Sequence, residues 1–82
     1  MKSDLEKYLE QIKEKQEEVK QKFDEMSDCY NNCRKFCDEM KSNGYRMTAE
    51  EKNKEGLLLE RFKASMNEFQ KASEDLSNLT KI

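Results

Sequence analysis

The sequence has no proline, histidine or tryptophan, and it has only two glycines in 82 residues. Proline and glycine are the residues that most often interrupt helices, so their scarcity favours long continuous helices. Without histidine, the chain lacks the side chain that most often acts as a general base near neutral pH. No apolar run approaches the roughly 20 residues that a membrane-spanning helix needs.

Sequence motifs typical of enzymes are also missing. The chain contains no G-x-S-x-G element and no glycine-rich phosphate-binding loop. Its many carboxylates fall on helix faces that we expect to be exposed, and a thin pair of helices offers no concave pocket. We therefore predict no enzymatic activity, no catalytic residue, no small-molecule substrate and no cofactor.

The charged residues make up 41% of the chain, but they nearly cancel to a net charge of −2. Domains that bind nucleic acid or a membrane surface usually carry a basic excess, so we expect neither partner. Three cysteines cannot form a closed set of disulfides. Because the sequence also shows no secretion signal, we predict free thiols and a cytoplasmic location.

What the sequence does contain is two heptad patterns separated by one break. In the first pattern, apolar residues recur at alternating steps of four and three, with one interruption at Gln16. The positions are Leu5, Leu9, Ile12, Val19, Phe23, Met26, Tyr30, Cys33, Cys37 and Met40. In the second pattern, the positions are Leu58, Phe62, Ser65, Phe69, Ala72, Leu76 and Leu79. A 3.5-residue repeat is typical of the buried seam of a coiled coil.

Start and stop signals delimit these patterns. Ser3 and Glu6 have the spacing of a capping box, and so do Thr48 and Glu51. Gly44 supplies a stop between them. We predict one all-α domain over residues 1–82, with helix one at about 3–42, a turn at 43–47 and helix two at about 48–81. Gly56 costs about 1 kcal/mol relative to alanine, so helix two either begins loosely or starts nearer Leu57.

We expect the two helices to form an antiparallel coiled-coil hairpin. The register that matches large residues with small ones sets Tyr30 by Leu58, Met26 by Phe62, Phe23 by Ser65 and Gln16 by Ala72. The same register brings Lys22 near Glu68 and Lys15 near Asp75, so packing and charge agree.

Several apolar residues fall outside the predicted seam. They are Tyr8, Cys29 and Phe36 on helix one, and Leu57, Leu59 and Met66 on helix two. A single hairpin would leave them as an exposed strip, and such strips usually mark an interface. Two copies would cover their strips by pairing into a four-helix bundle, which predicts a homodimer. A helix from a different protein is the other solution.

Basic residues border this strip without an opposing acidic residue. We predict a non-enzymatic protein–protein interaction module, such as an adaptor, a regulator or a coiled-coil assembly subunit. The predicted partner-binding residues are Phe36, Leu59, Met66, Lys13, Lys20 and Arg34. An apolar strip with basic margins suits an acidic amphipathic helix, whereas the simpler interpretation is that the lysines only keep the rod in solution. A small viral or phage protein that captures a host factor is a further alternative.

The three cysteines share one helical stripe, because Cys29, Cys33 and Cys37 are spaced four residues apart. Thiolates bind soft metals, so this stripe is a candidate metal or redox site. Zinc sites usually draw four ligands from two segments, however, and cysteine also packs as a small apolar residue. We interpret the cysteines as packing residues and keep a thiol-based metal-binding or redox-sensing bundle as the alternative.

Overall fold

The computed structural model describes residues 2–81, which contain two helices and no strand. Helix α1 spans Asp4–Ser42 and helix α2 spans Ala49–Thr80. The two helices pack against each other along their length, so the predicted all-α hairpin is confirmed. Met1 and Ile82, which the predicted domain included, lie outside the described residues.

The hairpin is a thin rod that measures 63 × 20 × 15 Å. Its length follows from α1, because 39 residues rising about 1.5 Å each span about 58 Å. Within residues 2–81, neither helix has a stretch that is long and apolar enough to cross a membrane.

Both helices begin at side chains that bond the first-turn amides. The Ser3 hydroxyl accepts a hydrogen bond from the Glu6 N–H at 3.2 Å. Thr48 and Glu51 form a reciprocal capping box, in which each side chain accepts a hydrogen bond from the other residue's N–H. Such caps stabilise a helix start by about 1 kcal/mol each, because the first amides have no partner within the helix.

Helix α2 continues without interruption through Gly56, so the alternative of a start near Leu57 is wrong. The physical reason is the capping box at Thr48, whose contribution is of the same size as the cost of one glycine, about 1 kcal/mol. Nothing lies within 4 Å of the position that a Gly56 side chain would occupy. This glycine is therefore not required by a close contact.

The turn between the helices uses two consecutive residues with a left-handed backbone. Gly44 has φ +68° and Tyr45 has φ +62°. The Tyr45 N–H donates to the Met40 carbonyl at 2.8 Å, which satisfies an acceptor in the last turn of α1. A left-handed conformation costs a non-glycine residue about 1 kcal/mol, and only the glycine was foreseen from the sequence.

The seam of α2 matches its heptad pattern. Every predicted position is buried or half-buried, namely Leu58, Phe62, Ser65, Phe69, Ala72, Leu76 and Leu79. The smallest of these side chains are the most buried, with Ala72 only 3% exposed. Small residues therefore occupy the most enclosed positions of the α2 seam.

The seam of α1 consists of two rows of residues spaced seven apart. One row is as predicted, and the other lies one residue earlier in the sequence than predicted. In the first row, Ile12, Val19, Met26, Cys33 and Met40 are buried or half-buried, as predicted, whereas Leu5 at the open end is 65% exposed. The second predicted row was Leu9, Gln16, Phe23, Tyr30 and Cys37, and all five are exposed. The row one residue earlier, Tyr8, Lys15, Lys22, Cys29 and Phe36, is more buried at every step.

The reason for this shift is that α1 carries large side chains on both flanks of its central row. Residues three and four positions after a seam residue lie on opposite flanks of it, and α2 covers only one of them. The covered flank contains Phe36, which is 5% exposed and has the Lys54 ammonium 5.7 Å from its ring centroid. The prediction that Phe36 lies beside the seam in an exposed strip is wrong.

The charged pairs predicted across the seam are present. Lys22 Nζ lies 3.3 Å from Glu68 Oε2, and Lys15 Nζ lies 3.8 Å from Asp75 Oδ2. At the open end, the Tyr8 hydroxyl donates to the Leu79 carbonyl at 2.8 Å. The antiparallel register therefore predicted the charged pairs correctly.

The aromatic residues pair differently from the prediction. Tyr30 packs against Phe62 and Phe23 packs against Phe69, two contacts that the predicted register did not include. Both differences follow from the shift of one row in α1.

Candidate binding surface

The two long sides of the hairpin carry different residues at the same height along the rod. One shallow groove is lined by Met26, Ser27, Tyr30, Asn31 and Phe62. Another is lined by Glu25, Asp28, Cys29, Arg61, Ala64, Ser65 and Glu68. The first contains Tyr30 and the second Cys29, which lie on opposite flanks of the central row of α1, so the two grooves lie on opposite sides of the seam. We call the first the apolar side and the second the charged side.

Two aromatic pairs form the centre of the apolar side. The ring centroids of Tyr30 and Phe62 are 6.1 Å apart, and those of Phe23 and Phe69 are 5.6 Å apart. Both pairs are tilted, within the range of separations at which aromatic rings attract each other. Tyr30 is nevertheless 50% exposed and Phe23 48% exposed. The helix α2 therefore covers one part of each ring and leaves the other part in water.

Leu59 and Met66 extend this surface on α2. Leu59 precedes Phe62 by three residues and Met66 follows it by four, so both lie beside that ring on the helix surface. They are 49% and 43% exposed. Leu58 and Ser65, next to them in the sequence, face the seam instead. We call the six side chains together the apolar patch: Phe23, Tyr30, Leu59, Phe62, Met66 and Phe69.

Basic side chains border the apolar patch. Lys20 precedes Phe23 by three residues and Arg34 follows Tyr30 by four, so each lies beside an aromatic ring of α1. Lys13 continues this margin one heptad before Lys20. Among residues 2–81, the ion pairs involve Lys2, Lys15 and Lys22, and none involves a lysine or arginine of this margin.

On the charged side, Lys15 and Lys22 form ion pairs, whereas Arg61 and Lys54 form none within residues 2–81. Lys22 lies 3.5 Å from Glu25 and 3.3 Å from Glu68. The hydrogen bond to Glu68, together with the charges of Glu25 and Glu68, raises the pKa of Lys22 above its ordinary value of 10.5. A hydrogen bond to Glu18 and that carboxylate's charge, with a smaller contribution from Asp75, likewise raise the pKa of Lys15.

The three cysteines are in different environments although they share a stripe. The Cys33 thiol donates to the Leu58 carbonyl at 3.5 Å, and burial raises the pKa of this thiol. Cys29 is half-buried in the groove of the charged side, whereas Cys37 is exposed. Within the described part of the chain, no group of three or more histidine, cysteine, aspartate or glutamate side chains is arranged to hold a metal ion.

The predicted partner-binding residues divide into two groups. Five of them lie on the apolar side or its margin, namely Leu59, Met66, Lys13, Lys20 and Arg34. Phe36 lies on the charged side of α1 and is buried against α2, so it does not belong to this surface.

The aromatic residues of the patch were assigned from the sequence to the seam, and their exposure was missed. The sequence did contain a signal for it. Lys15 and Lys22 reach Asp75 and Glu68 only if their row, and not that of Phe23 and Tyr30, faces α2.

Comparisons of the chain with protein-family models, with curated proteins and with solved structures found no match. The surfaces of the chain itself therefore carry the functional information. Two of their features go beyond a solvated helix face, which needs only scattered polar residues. One is the cluster of half-exposed aromatic and aliphatic side chains, and the other is the basic margin beside it, which forms no ion pair in the described part of the chain.

Proposed function

We propose that the chain is a non-enzymatic protein–protein interaction module that binds a helix along its apolar side. The observation that carries this proposal is the apolar patch, in which two aromatic pairs and two aliphatic side chains are continuous and partly exposed. Contiguous exposed apolar surface is unfavourable in water by roughly 25 cal/mol per Å², and burial against a partner recovers this free energy.

The shape of the patch favours a helix as the bound element. The patch lies in the shallow depression between the two antiparallel helices. The side chains of a third helix would interdigitate there, as in other complexes that bind a helix in a groove. Tyr30 and Phe23 are already held by their ring partners, so their ordering upon binding costs little conformational entropy. Aromatic residues of this kind are enriched among those that dominate binding energy.

Such a module acts by holding other chains together, as an adaptor, a regulator or a subunit of a larger coiled-coil assembly. The bound helix belongs either to another protein or to a second copy of the chain. In the second case two hairpins form a four-helix bundle and the chain is a homodimer.

The test uses two aspartate substitutions, each with a matched control. Leu59→Asp and Met66→Asp place a charge in the patch without affecting the seam, so helix content measured by circular dichroism should not change. Leu57→Asp makes the same change at an exposed leucine, 57% accessible, seven residues before Ala64 of the charged side.

Association is measured in two ways. Sedimentation equilibrium over a wide concentration range reports self-association, and anisotropy of labelled leucine-heptad peptides reports the binding of a foreign helix. We expect Leu59→Asp and Met66→Asp to abolish whichever association the native chain shows, and Leu57→Asp to leave it intact. The proposal is wrong if the native chain shows neither association, or if both patch variants associate as the native chain does.

A further inference from the structure

The charges around the apolar patch identify the kind of helix that fits it. We infer that the partner is an acidic amphipathic helix from another protein and not a second copy of this chain. The inference rests on the proposed function and adds the chemistry of the occupant.

The charges along both flanks of the patch are positive, and Glu55, four residues before Leu59 on α2, lies at the end of the patch. Lys20 and Arg34 border the aromatic rings on α1, and Lys63 precedes Met66 by three residues on α2. None of these three side chains forms an ion pair within residues 2–81. A helix that covers the patch therefore passes between basic side chains that form no ion pair in the described part of the chain.

The acidic residues of α1 lie outside the basic margin. Glu17, Asp24 and Asp38 follow basic margin residues by four positions, but they lie one step further round the helix and are exposed. They therefore lie behind the margin and not between it and the patch. Like-charged margins on an incoming helix would be repelled, and acidic margins would be attracted.

A second copy of the chain does not supply the complementary surface. If two apolar patches met about a two-fold axis, each basic margin would face a basic margin of the other copy. The back of α1 is acidic but has no apolar centre, since its outer positions are Glu10, Glu17, Asp24, Asn31 and Asp38. On the charged side, the carboxylates of Glu68 and Asp75 are already paired with lysines.

The partner that fits has a specific pattern. The patch extends from Leu59 to Phe69, which corresponds to about 15 Å along α2 at about 1.5 Å per residue. A helix of three turns or more covers it, with apolar residues at steps of three and four. Glutamate or aspartate on both flanks of that stripe would meet Lys20 and Arg34 on one side and Lys63 on the other.

Two synthetic peptides of about 21 residues, three heptads, test the inference. Both carry leucine at the heptad seam positions. One carries glutamate at the flanking positions and the other carries lysine. Like charges along each peptide disfavour its pairing with itself. We expect the acidic peptide to bind about tenfold more tightly than the basic peptide, because several surface ion pairs form with one and repulsions with the other.

Charge-reversal variants assign the effect to the margin. Lys20→Glu combined with Arg34→Glu should reverse the preference between the two peptides. Lys7→Glu combined with Lys35→Glu makes the same change in net charge at exposed positions of α1 that do not border the patch, and should leave the preference intact. High salt should reduce the preference, because the Debye length falls from about 10 Å at 0.1 M to about 3 Å at 1 M.

The possible outcomes separate the inference from the proposed function. A preference for the acidic peptide that only the margin variant reverses supports both. Equal binding of the two peptides, lost in Leu59→Asp, overturns the inference and leaves the proposed function standing. A dimer that binds neither peptide and dissociates upon Leu59→Asp identifies a second copy as the occupant. This outcome also overturns the inference and leaves the proposed function standing. A monomer that binds neither peptide overturns both.

Discussion

The apolar side and the charged side of the hairpin differ in how far α2 buries the α1 residues that border the seam and in whether it pairs their charges. On the charged side, α2 covers Phe36 and supplies carboxylates to Lys15 and Lys22. On the apolar side, α2 covers only part of Tyr30 and Phe23, and within residues 2–81 none of its carboxylates forms an ion pair with the basic margin. A pair of helices buries a limited width of each partner. Where one helix carries large side chains on both flanks, one flank becomes core and the other becomes surface.

The largest expected effect comes from truncating the covered flank. Phe36→Ala removes a 5% exposed ring next to the turn, and we expect it to lower the free energy of unfolding by about 3 kcal/mol. Cys37→Ala, the next residue on the opposite flank, should change it by less than about 0.5 kcal/mol. Urea denaturation followed by circular dichroism at 222 nm measures both values.

If Cys37→Ala were as destabilising as Phe36→Ala, the two flanks would be equivalent in solution. The heptad row that contains Cys37 would then be at least partly buried, and the comparison between the two sides would fail at the turn end of the rod.

A smaller effect is expected from the aromatic contact on the apolar side. Phe23→Ala and Phe69→Ala, measured singly and together, form a double-mutant cycle. We expect a coupling free energy of about 1 kcal/mol, because the tilted rings attract each other although one of them is 48% exposed. A coupling near zero would show that the two rings are independent in water and that the patch is less ordered than their contact implies.

The paired lysines of the charged side predict a dependence on pH. Because the pKa of Lys22 is raised in the folded chain, its contribution to stability is complete below its ordinary pKa of 10.5 and is lost as the pH rises through the raised value. The urea midpoint should therefore fall less steeply above about pH 10.5 in Lys22→Arg than in the native chain, since arginine remains charged there.

Lys35→Arg is the matched control for this measurement, because Lys35 is exposed and belongs to none of the ion pairs within residues 2–81. It should follow the native midpoint at every pH. If the two arginine variants behaved alike, the pairs of the charged side would make no measurable contribution.

The smallest effect concerns the thiols. Cys37 should react first with iodoacetamide and Cys33 last, because Cys33 is bonded to a carbonyl and its pKa is raised by burial. Mass spectrometry of timed samples at constant pH gives the order, and urea should make the rates converge.

Elemental analysis of the same preparation addresses the thiol-based alternative. About one metal ion for every one or two chains, lost when all three cysteines are replaced by serine, would revive a metal-binding function. Three alkylated thiols and no metal would retire it.

Most of the fold could be predicted because it depends on local signals. The caps at Ser3 and Thr48 act within one turn, and the stop at Gly44 needs only the freedom of one residue. The cross-seam pairs of Lys15 and Lys22 followed from matching two repeats of equal period. The left-handed Tyr45 could not be predicted, since its conformation is imposed by the bond to Met40 and not by its own preference.

The candidate surface was only partly predicted, for a geometric reason. A heptad pattern gives the central row of a seam, but the rows of Phe36 and Cys37 lie symmetrically about that row. The choice between them depends on the summed packing of both helices. The sequence therefore identified Leu59 and Met66 as exposed, whereas it assigned Tyr30 and Phe23 to the interior and Phe36 to the exterior.

The antiparallel arrangement also sets the order in which the chain can assemble. Contacts between the helices join residues 25 apart at Cys33 and Leu58, 46 apart at Lys22 and Glu68, and 71 apart at Tyr8 and Leu79. Each contact shortens the loop that the next one must close, so closure from the turn outward has the lowest entropic cost. Phe36 and Met40, the two buried side chains of α1, lie where this closure begins, and Leu5 and Leu9 at the open end remain more than half exposed. Amide hydrogen exchange should accordingly be slowest beside the turn and become faster toward the paired chain ends.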